Sequence, residues 1–304
     1  MEILKEREQS HLLKGLIYLD KRIDLNETDK RYLVNLQKGF KGERCFDDLV
    51  KTILDKEMIV LNDLLLVSNG TTFQVDSIII TSNTLYLFEI KNYSGKYIRN
   101  SDGLSTIQGQ DVANPMIQLS RMESFINQLL KEWNSTSKVE ANVVFVNPLF
   151  SLYNAKIDDP ILMPNQIEEY LLKINSRSRM LTKEQHYLAN RFRKLENSGM
   201  PMQKQLPYYN YEELKKGLSC KNCGSFELLI TQRSCYCKSC FFKSSVGEVI
   251  LNNIEEMQFL FPELKLTTTN VNNWCGEVVH FRKIRKILKD HYIAAGETSG
   301  RVYE

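Results

Sequence analysis

Three ionisable residues stand at a spacing that could do chemistry. Asp76 lies in Phe73-Gln74-Val75-Asp76-Ser77-Ile78, and Glu89 and Lys91 lie in Leu87-Phe88-Glu89-Ile90-Lys91. Glu89 and Lys91 are two apart in a strand-like run, so they share one face while Ile90 points away. A two-residue Ser82-Asn83 turn would pair Thr81 with Thr84. In that register Asp76 falls directly opposite Glu89, and Lys91 opposite Gln74. Two opposed carboxylates repel. A divalent cation would relieve that repulsion, and hard oxygen ligands with a few retained waters suit Mg²⁺ or Mn²⁺. The neighbouring lysine could orient or deprotonate a water, or stabilise an anionic transition state. This is the toolkit of metal-assisted phosphodiester hydrolysis. The competing reading is the solvated face of an ordinary hairpin, which is the usual meaning of a short D…ExK match. Ile78, Ile80, Leu85 and Leu87 on the same face weigh against it, because charges at one end of a buried face need a reason.

A second constellation is made of thiols. Of seven Cys, Cys45 and Cys275 stand alone, while Cys220, Cys223, Cys235, Cys237 and Cys240 are crowded together. Cys220-x-x-Cys223 and Cys237-x-x-Cys240 can close a tetrahedral Zn²⁺ site around a strand-like Phe226–Ile230, as a zinc ribbon requires. Such a closed site is structural and makes a core-poor segment fold. Cys235 is surplus and could replace a ligand in another register. The second knuckle lacks the glycine that follows Cys223, so a looser turn is expected there.

A third constellation is basic. Arg282, Lys283, Arg285, Lys286 and Lys289 fall in eight positions with no acid among them. They sit on an expected helix, Glu277 to Tyr292, whose apolar stripe is Val278, Phe281, Ile284, Ile287 and Leu288. With Asn270–Gly276 before it, the segment suggests a helix-turn-helix-like unit that contacts phosphates. A solvated amphipathic helix packed on the ribbon is an equal alternative. Trp274 reads as a core anchor. The four His are dispersed, without ligand spacing.

These residues need elements to hold them. Residues 1–38 read as a helical lead-in, followed by a helix from Lys41 to about Leu54 with Phe46, Leu49, Val50, Ile53 and Leu54 as its stripe. Met58–Val67, Thr72–Thr81 and Thr84–Lys91 are strands, with Asn69-Gly70 and Ser82-Asn83 as turns. Asn114-Pro115 opens a helix with Ile117, Met122, Phe125, Ile126, Leu129 and Leu130 buried. Val143–Val146 is a buried strand, reached by what resembles a parallel crossover. Helices follow near 165–175 and 182–196, the second with a Thr182-x-x-Gln185 capping box. The order is helix, three-strand meander, helix, strand, which is an α/β arrangement.

At these residues the sequence resembles the NERD (nuclease-related domain) proteins of the PD-(D/E)xK nuclease superfamily. The resemblance rests on Gly39-Phe40-Lys41-Gly42-Glu43, Gln74-Val75-Asp76, Phe88-Glu89-Ile90-Lys91-Asn92, Gly95, and Asn114-Pro115-Met116-Ile117-Gln118-Leu119, and spans roughly residues 30–150. It implies a restriction-endonuclease-like αβββαβ core. It also implies a site of Glu43, Asp76, Glu89 and Lys91, with Glu43 reaching in from the first helix and Gln118 beside it. Val75 stands where the superfamily's name-giving proline would be.

The expected organisation is a lead-in (1–38), a nuclease-like domain (39–197), a linker (198–217), a zinc ribbon (218–245) and a helical basic tail (246–304). Expected function is Mg²⁺- or Mn²⁺-dependent hydrolysis of DNA, with RNA open as a substrate. The rival is a non-catalytic nucleic-acid-binding protein that keeps the nuclease fold as a scaffold. A formal charge of +3 excludes a polybasic protein, and 42% hydrophobic residues exclude a mostly disordered one. The charged Met1–Glu8 is unlike a secretory signal, and no apolar run approaches a membrane span, so a cytoplasmic protein without a membrane partner is expected. Protein partners are not legible.

Overall fold

A computed structural model describes residues 1–68, 71–101, 103–196, 205–296 and 301–304. The Asn69-Gly70 turn and the Gly199–Pro201 part of the expected linker lie outside the described residues. In chain order the elements are β1 (Glu2–Lys5), α1 (His11–Arg22), α2 (Glu27–Ile53), β2 (Ile59–Ser68), β3 (Thr71–Ile80), β4 (Thr84–Lys91), β5 (Gly95–Arg99), β6 (Leu104–Thr106), β7 (Asp111–Val112), α3 (Pro115–Glu132), β8 (Lys138–Phe145), β9 (Phe150–Tyr153), β10 (Ile161–Leu162), α4 (Ile167–Arg177) and α5 (Lys183–Leu195). Then come β11 (Leu228–Ile230), β12 (Ser234–Cys237), β13 (Lys243–Ser245), α6 (Val246–Leu260), α7 (Thr268–Trp274), α8 (Phe281–His291), β14 (Ala294–Ala295) and β15 (Val302–Tyr303). Among the described residues no helix is long and apolar enough to cross a membrane.

Two compact units divide the chain: 1–9 with 35–203, and 10–34 with 204–304. The first is a six-stranded sheet, β1-β2-β3-β4-β8-β10, between helices. One face carries α3 and α5 through Leu119, Met122, Ile126, Leu188 and Phe192. The other carries α2 and α4 through Phe46, Val50, Leu54, Leu171 and Ile174. This is an α/β fold with helices on both faces of the sheet. β4 and β8 are parallel along their whole length, so β4–α3–β8 is the expected crossover. Asn114 caps α3 by accepting from Met116 N at 3.0 Å, with Pro115 in the first turn. Thr182 and Gln185 form the capping box of α5.

Several expectations need correcting. Residues 1–38 are not simply helical: Glu2–Lys5 form an edge strand parallel to β2. The next helix starts at Glu27, not Lys41, because Asn26 Oδ1 accepts from Asp29 N at 2.9 Å and its amide returns to Asp29. Gly39 and Gly42 lie inside α2; a side chain at Gly42 would come within 2.5 Å of Asn92 Cβ, so that glycine permits a close approach of helix and strand end. Ile117 is half exposed, and Leu119 takes its place in the stripe of α3. A small sheet, β7-β6-β5-β9, has strands too short to show a period.

The second unit contains the three-stranded β11-β12-β13 sheet and helices α1, α6, α7 and α8. α1 belongs here because its apolar side meets α6, with His11 stacked on Phe259 at 4.3 Å. Arg22 is fully buried, donates to Glu256 at 2.7 Å and lies 3.9 Å from the Trp274 ring centroid. Trp274 is the expected core anchor. The tail helix starts at Phe281, not Glu277, since Gly276 and Glu277 both take left-handed φ and His280 caps the helix. Val278 and Phe281 are accordingly exposed, and Ile284, Ile287 and Leu288 form the buried stripe.

Candidate functional site

β3 and β4 pair from Ile80↔Leu85 to Ser77↔Phe88 in the expected register, and there the ladder stops. The next two residues in that register are Asp76 and Glu89. Asp76 replaces the lost backbone acceptor with its own carboxylate, because Ile90 N donates to Asp76 Oδ2 at 2.7 Å. β4 stays straight because β8 holds its other edge to the end. On the other side of Asp76, Asp63 has φ 53° and the two-residue alternation slips. Leu61 and Leu64, and likewise Val75 and Ile78, join one core cluster despite their odd spacing. The site therefore sits in a fork where the strands part.

Asp76 and Glu89 are buried, and Lys91 and Glu43 are partly so. Lys91 Nζ lies 2.5 Å from Glu89 Oε1. Burial, then the charges of Glu89 and Glu43, push the Asp76 carboxyl well above its ordinary value, against the Ile90 N–H and Lys91. Glu43 is also raised by burial, with Arg7 opposing. Burial works against the charge of Lys91, but Glu89 and Asp76 outweigh it and hold the ammonium above its ordinary value. Lys91 is thus a cation at neutral pH, which favours electrostatic stabilisation over proton abstraction.

The residues open into a cleft of about 1180 Å³. That is larger than the roughly 300–1,000 Å³ of small-molecule sites. Glu43, Asp76, Glu89, Lys91 and Gln118 all line it. Gln118 is an exposed residue of α3 at its rim, and Lys38 and Arg121 add positive charge.

Arg7, missed by sequence reasoning, organises one wall. Its buried guanidinium donates to Asp47 (Nε–Oδ2 2.9 Å, Nη2–Oδ1 3.2 Å), to Glu43 Oε2 at 3.0 Å and to the Asp76 carbonyl at 2.7 Å. One side chain so ties α2 to β3 at the fork. The available signal was Glu43 and Asp47, an acidic i,i+4 pair beside buried Phe46 and Val50.

Residues 38–146 match NERD, the nuclease-related domain. This chain contains a nuclease-related domain. Its match begins within α2 before Glu43 and runs past the end of β8, so it spans every site residue above except Arg7. No curated protein matches the chain. Among solved structures it is similar to protein VC1899 from Vibrio cholerae, at 13% identity and a TM-score of 0.23, over 63% of this chain and 44% of that one. The chain thus spans less than half the length of that protein.

Outside the nuclease-related domain, Cys220, Cys223, Cys237 and Cys240 converge, with all four Sγ atoms within 4.8 Å of one another. Cys220–Cys240 and Cys223–Cys237 sulfur pairs are 3.8 and 3.5 Å apart. Four thiolates at about 2.3 Å around a tetrahedral Zn²⁺ would stand about 3.8 Å apart, so the donor set fits zinc. Cys235 is buried but is not one of the group. The second knuckle is not looser than the first. Gly224 N and Phe241 N each donate to the first Cys of their knuckle, at 2.8 and 3.0 Å. Phe241 takes the left-handed turn, φ 58°, that Gly224 takes at φ 74°. Among the described residues Glu43, Asp76 and Glu89 form no comparable three-acid cluster. On α8, Arg282, Arg285, Lys286 and Lys289 are exposed, and Lys283 donates to the Gln232 carbonyl.

Proposed function

We propose that this chain is a divalent-metal-dependent nuclease that hydrolyses phosphodiester bonds in DNA. The observation that carries the proposal is Asp76: a buried carboxyl at a strand fork, beside Glu89, its ionisation opposed by burial and by the neighbouring acids, on a cleft of about 1180 Å³. Two carboxylates plus water match the needs of Mg²⁺ or Mn²⁺. When bound, such an ion activates water and neutralises phosphoryl charge. The protein's own contributions follow from the side chains. Asp76 and Glu89 hold the cation, Glu43 positions water from α2, and Lys91 stabilises developing anionic charge. Gln118, Lys38 and Arg121 orient the strand at the rim. Zinc on the four cysteines keeps the ribbon folded. Arg282, Lys283, Arg285, Lys286 and Lys289 supply phosphate contacts, which position without specifying sequence.

A plasmid-nicking assay with Mg²⁺ or Mn²⁺ tests this, comparing wild type with Asp76→Asn and Lys91→Ala. Both variants should lose activity by about a hundredfold or more. Equal activity in all three would sink the assignment, and an RNA arm identifies the substrate.

One observation favours a second reading. Lys91 already neutralises Glu89, and Arg7 already neutralises Glu43. A non-catalytic protein that binds nucleic acid on this scaffold would show such compensation. Duplex binding retained by Asp76→Asn, without cleavage by the wild type, would favour that reading.

A further inference from the structure

A second cavity, of about 380 Å³, lies in the C-terminal unit. It is lined by Thr267, Thr268, Thr269, Phe281, Arg285, Arg301 and Tyr303. No carboxylate is among them. Neither arginine has an ion-pair partner among the described residues; Arg301 Nε has a long contact, 3.5 Å, with the Gly296 carbonyl. Tyr303 is 2% exposed, and its hydroxyl, out of contact with water, has no hydrogen-bond partner. A buried hydroxyl left unpaired is costly, and native proteins rarely leave one so without a ligand, ion or water to meet it. Backbone pairing fixes the residue in place: β15 pairs with β14, and Tyr303 N donates to the Leu266 carbonyl at 2.8 Å, beside the threonines.

Guanidinium forks match the tetrahedral oxygens of a phosphoryl group, and hydroxyls complete the donor set. We infer that this cavity is a phosphate-binding site, and that its occupant is a phosphodiester of a nucleic-acid strand. The volume exceeds that of a phosphate ion, and Phe281 gives the cavity one apolar wall. Arg282, Lys286 and Lys289 continue the positive surface along α8, as a backbone leaving the cavity requires. Of the five basic residues that contact phosphates on this helix, Arg285 alone lines the cavity and so carries the largest share of the binding. The inference rests on the proposed nucleic-acid contact of α8 and needs no turnover at Asp76.

Fluorescence anisotropy with a labelled duplex, over a salt series and without divalent ions, tests it on the full chain carrying Asp76→Asn to exclude cleavage. Arg285→Gln and Arg301→Gln should each weaken binding about tenfold and lower the slope of log K against log salt by about 0.9. Arg282→Gln, outside the cavity, should weaken it less than about threefold. Tyr303→Phe, which keeps the packing, should weaken it about fivefold with the salt slope unchanged. Equal losses for Arg282→Gln and Arg285→Gln would overturn the site in favour of a diffuse basic face. Unchanged affinity in Arg301→Gln and Tyr303→Phe would overturn it as well. Inorganic phosphate, read by thermal shift, separates the sources. A shift that Arg285→Gln abolishes, together with unimpaired duplex binding by that variant, would assign the cavity to free phosphate and refute the strand as occupant.

Discussion

Arg7→Ala is the most informative perturbation of the nuclease-related site. The guanidinium is 1% exposed and its main partner, Asp47, 3%. Truncating it leaves a nearly buried carboxylate without a cation and frees the Asp76 carbonyl, while Glu43 keeps its access to water. Breaking a buried pair from one side costs about 3–5 kcal/mol, most of it the uncompensated charge. A unit of this size loses roughly 2–4 °C of midpoint per kcal/mol, so the expected fall is about 6–20 °C. Arg7→Lys keeps the charge but not the planar fork that reaches both acids and the carbonyl, and should fall between. Arg7→Met with Asp47→Leu removes both charges at similar volume and should recover most of the loss. Thermal melts of the metal-free protein at neutral pH measure all three. The reasoning is refuted if Arg7→Ala melts within about 2 °C of wild type, or if the double variant is as unstable as the single one. Manganese titration of the folded Arg7→Lys protein adds a functional reading: with the Asp76 main chain released from the guanidinium, affinity should drop severalfold.

Other expectations concern the charges, the ribbon and α2. Asp76 and Glu43 are both raised in the fold by burial, so their ionisation opposes folding; the penalty is complete above their folded values and vanishes as pH falls to the ordinary carboxylate range. The metal-free protein should gain stability from these two groups as pH drops through that window. Asp76→Asn, which can still accept from Ile90 N, should melt higher than wild type at pH 8 in the absence of metal, and a lower midpoint would contradict the assignment. Elemental analysis of freshly purified protein should find about one zinc per chain, and Cys223→Ser should lose it. Phe241→Gly keeps the left-handed turn but removes the Cβ that strains it at an exposed position, and should stabilise the ribbon by about 0.5–1 kcal/mol in chelator titrations. Gly42→Ala should cost about 1–3 kcal/mol and impair cleavage through Asn92, while Gly39→Ala, with open space around it, should be neutral or stabilising.

The local parts of this structure were legible because they obey short-range rules. A two-residue turn fixed the β3–β4 register, Asn114-Pro115 and Thr182-x-x-Gln185 marked helix starts, and two CxxC pairs marked the thiol cluster. What periodicity does not carry is where a regular element stops being regular. Pairing arithmetic placed Asp76 opposite Glu89 as though the ladder continued, yet the ladder ends one pair earlier and the carboxylate takes over a backbone acceptor's role. Long-range partners were equally silent. Arg7 lies 36 residues before Glu43 and 69 before Asp76, and nothing near it in the sequence specifies a buried guanidinium. The placement of α1 depended on Arg22 meeting Glu256, which lies 234 residues away.

The charge pattern of the cleft explains why three acids are tolerated there. Glu43 leans on Arg7 and Glu89 on Lys91, so two of the three negative charges are met by fixed cations. Among the described residues Asp76 forms no ion pair; its hydrogen bond comes from a neutral backbone N–H, and Lys91, paired with Glu89, acts on it only through its charge. A buried, unpaired carboxylate is costly, and a chain that only needed a stable hairpin end would have a neutral residue at this position. The deficit therefore sits on a residue that lies at the fork and lines the cleft together with Glu89 and Glu43. Occupation of Asp76 and Glu89 by a divalent ion would compete with Lys91 for Glu89. The ammonium, already favoured in its charged form, would then be free to face the phosphate. The same lysine compensates Glu89 in the metal-free site and, under the proposed function, would serve the substrate once a cation is bound; Lys91→Ala should then lower both the stability of the metal-free protein and its cleavage of DNA, whereas Asp76→Asn should raise the first and abolish the second.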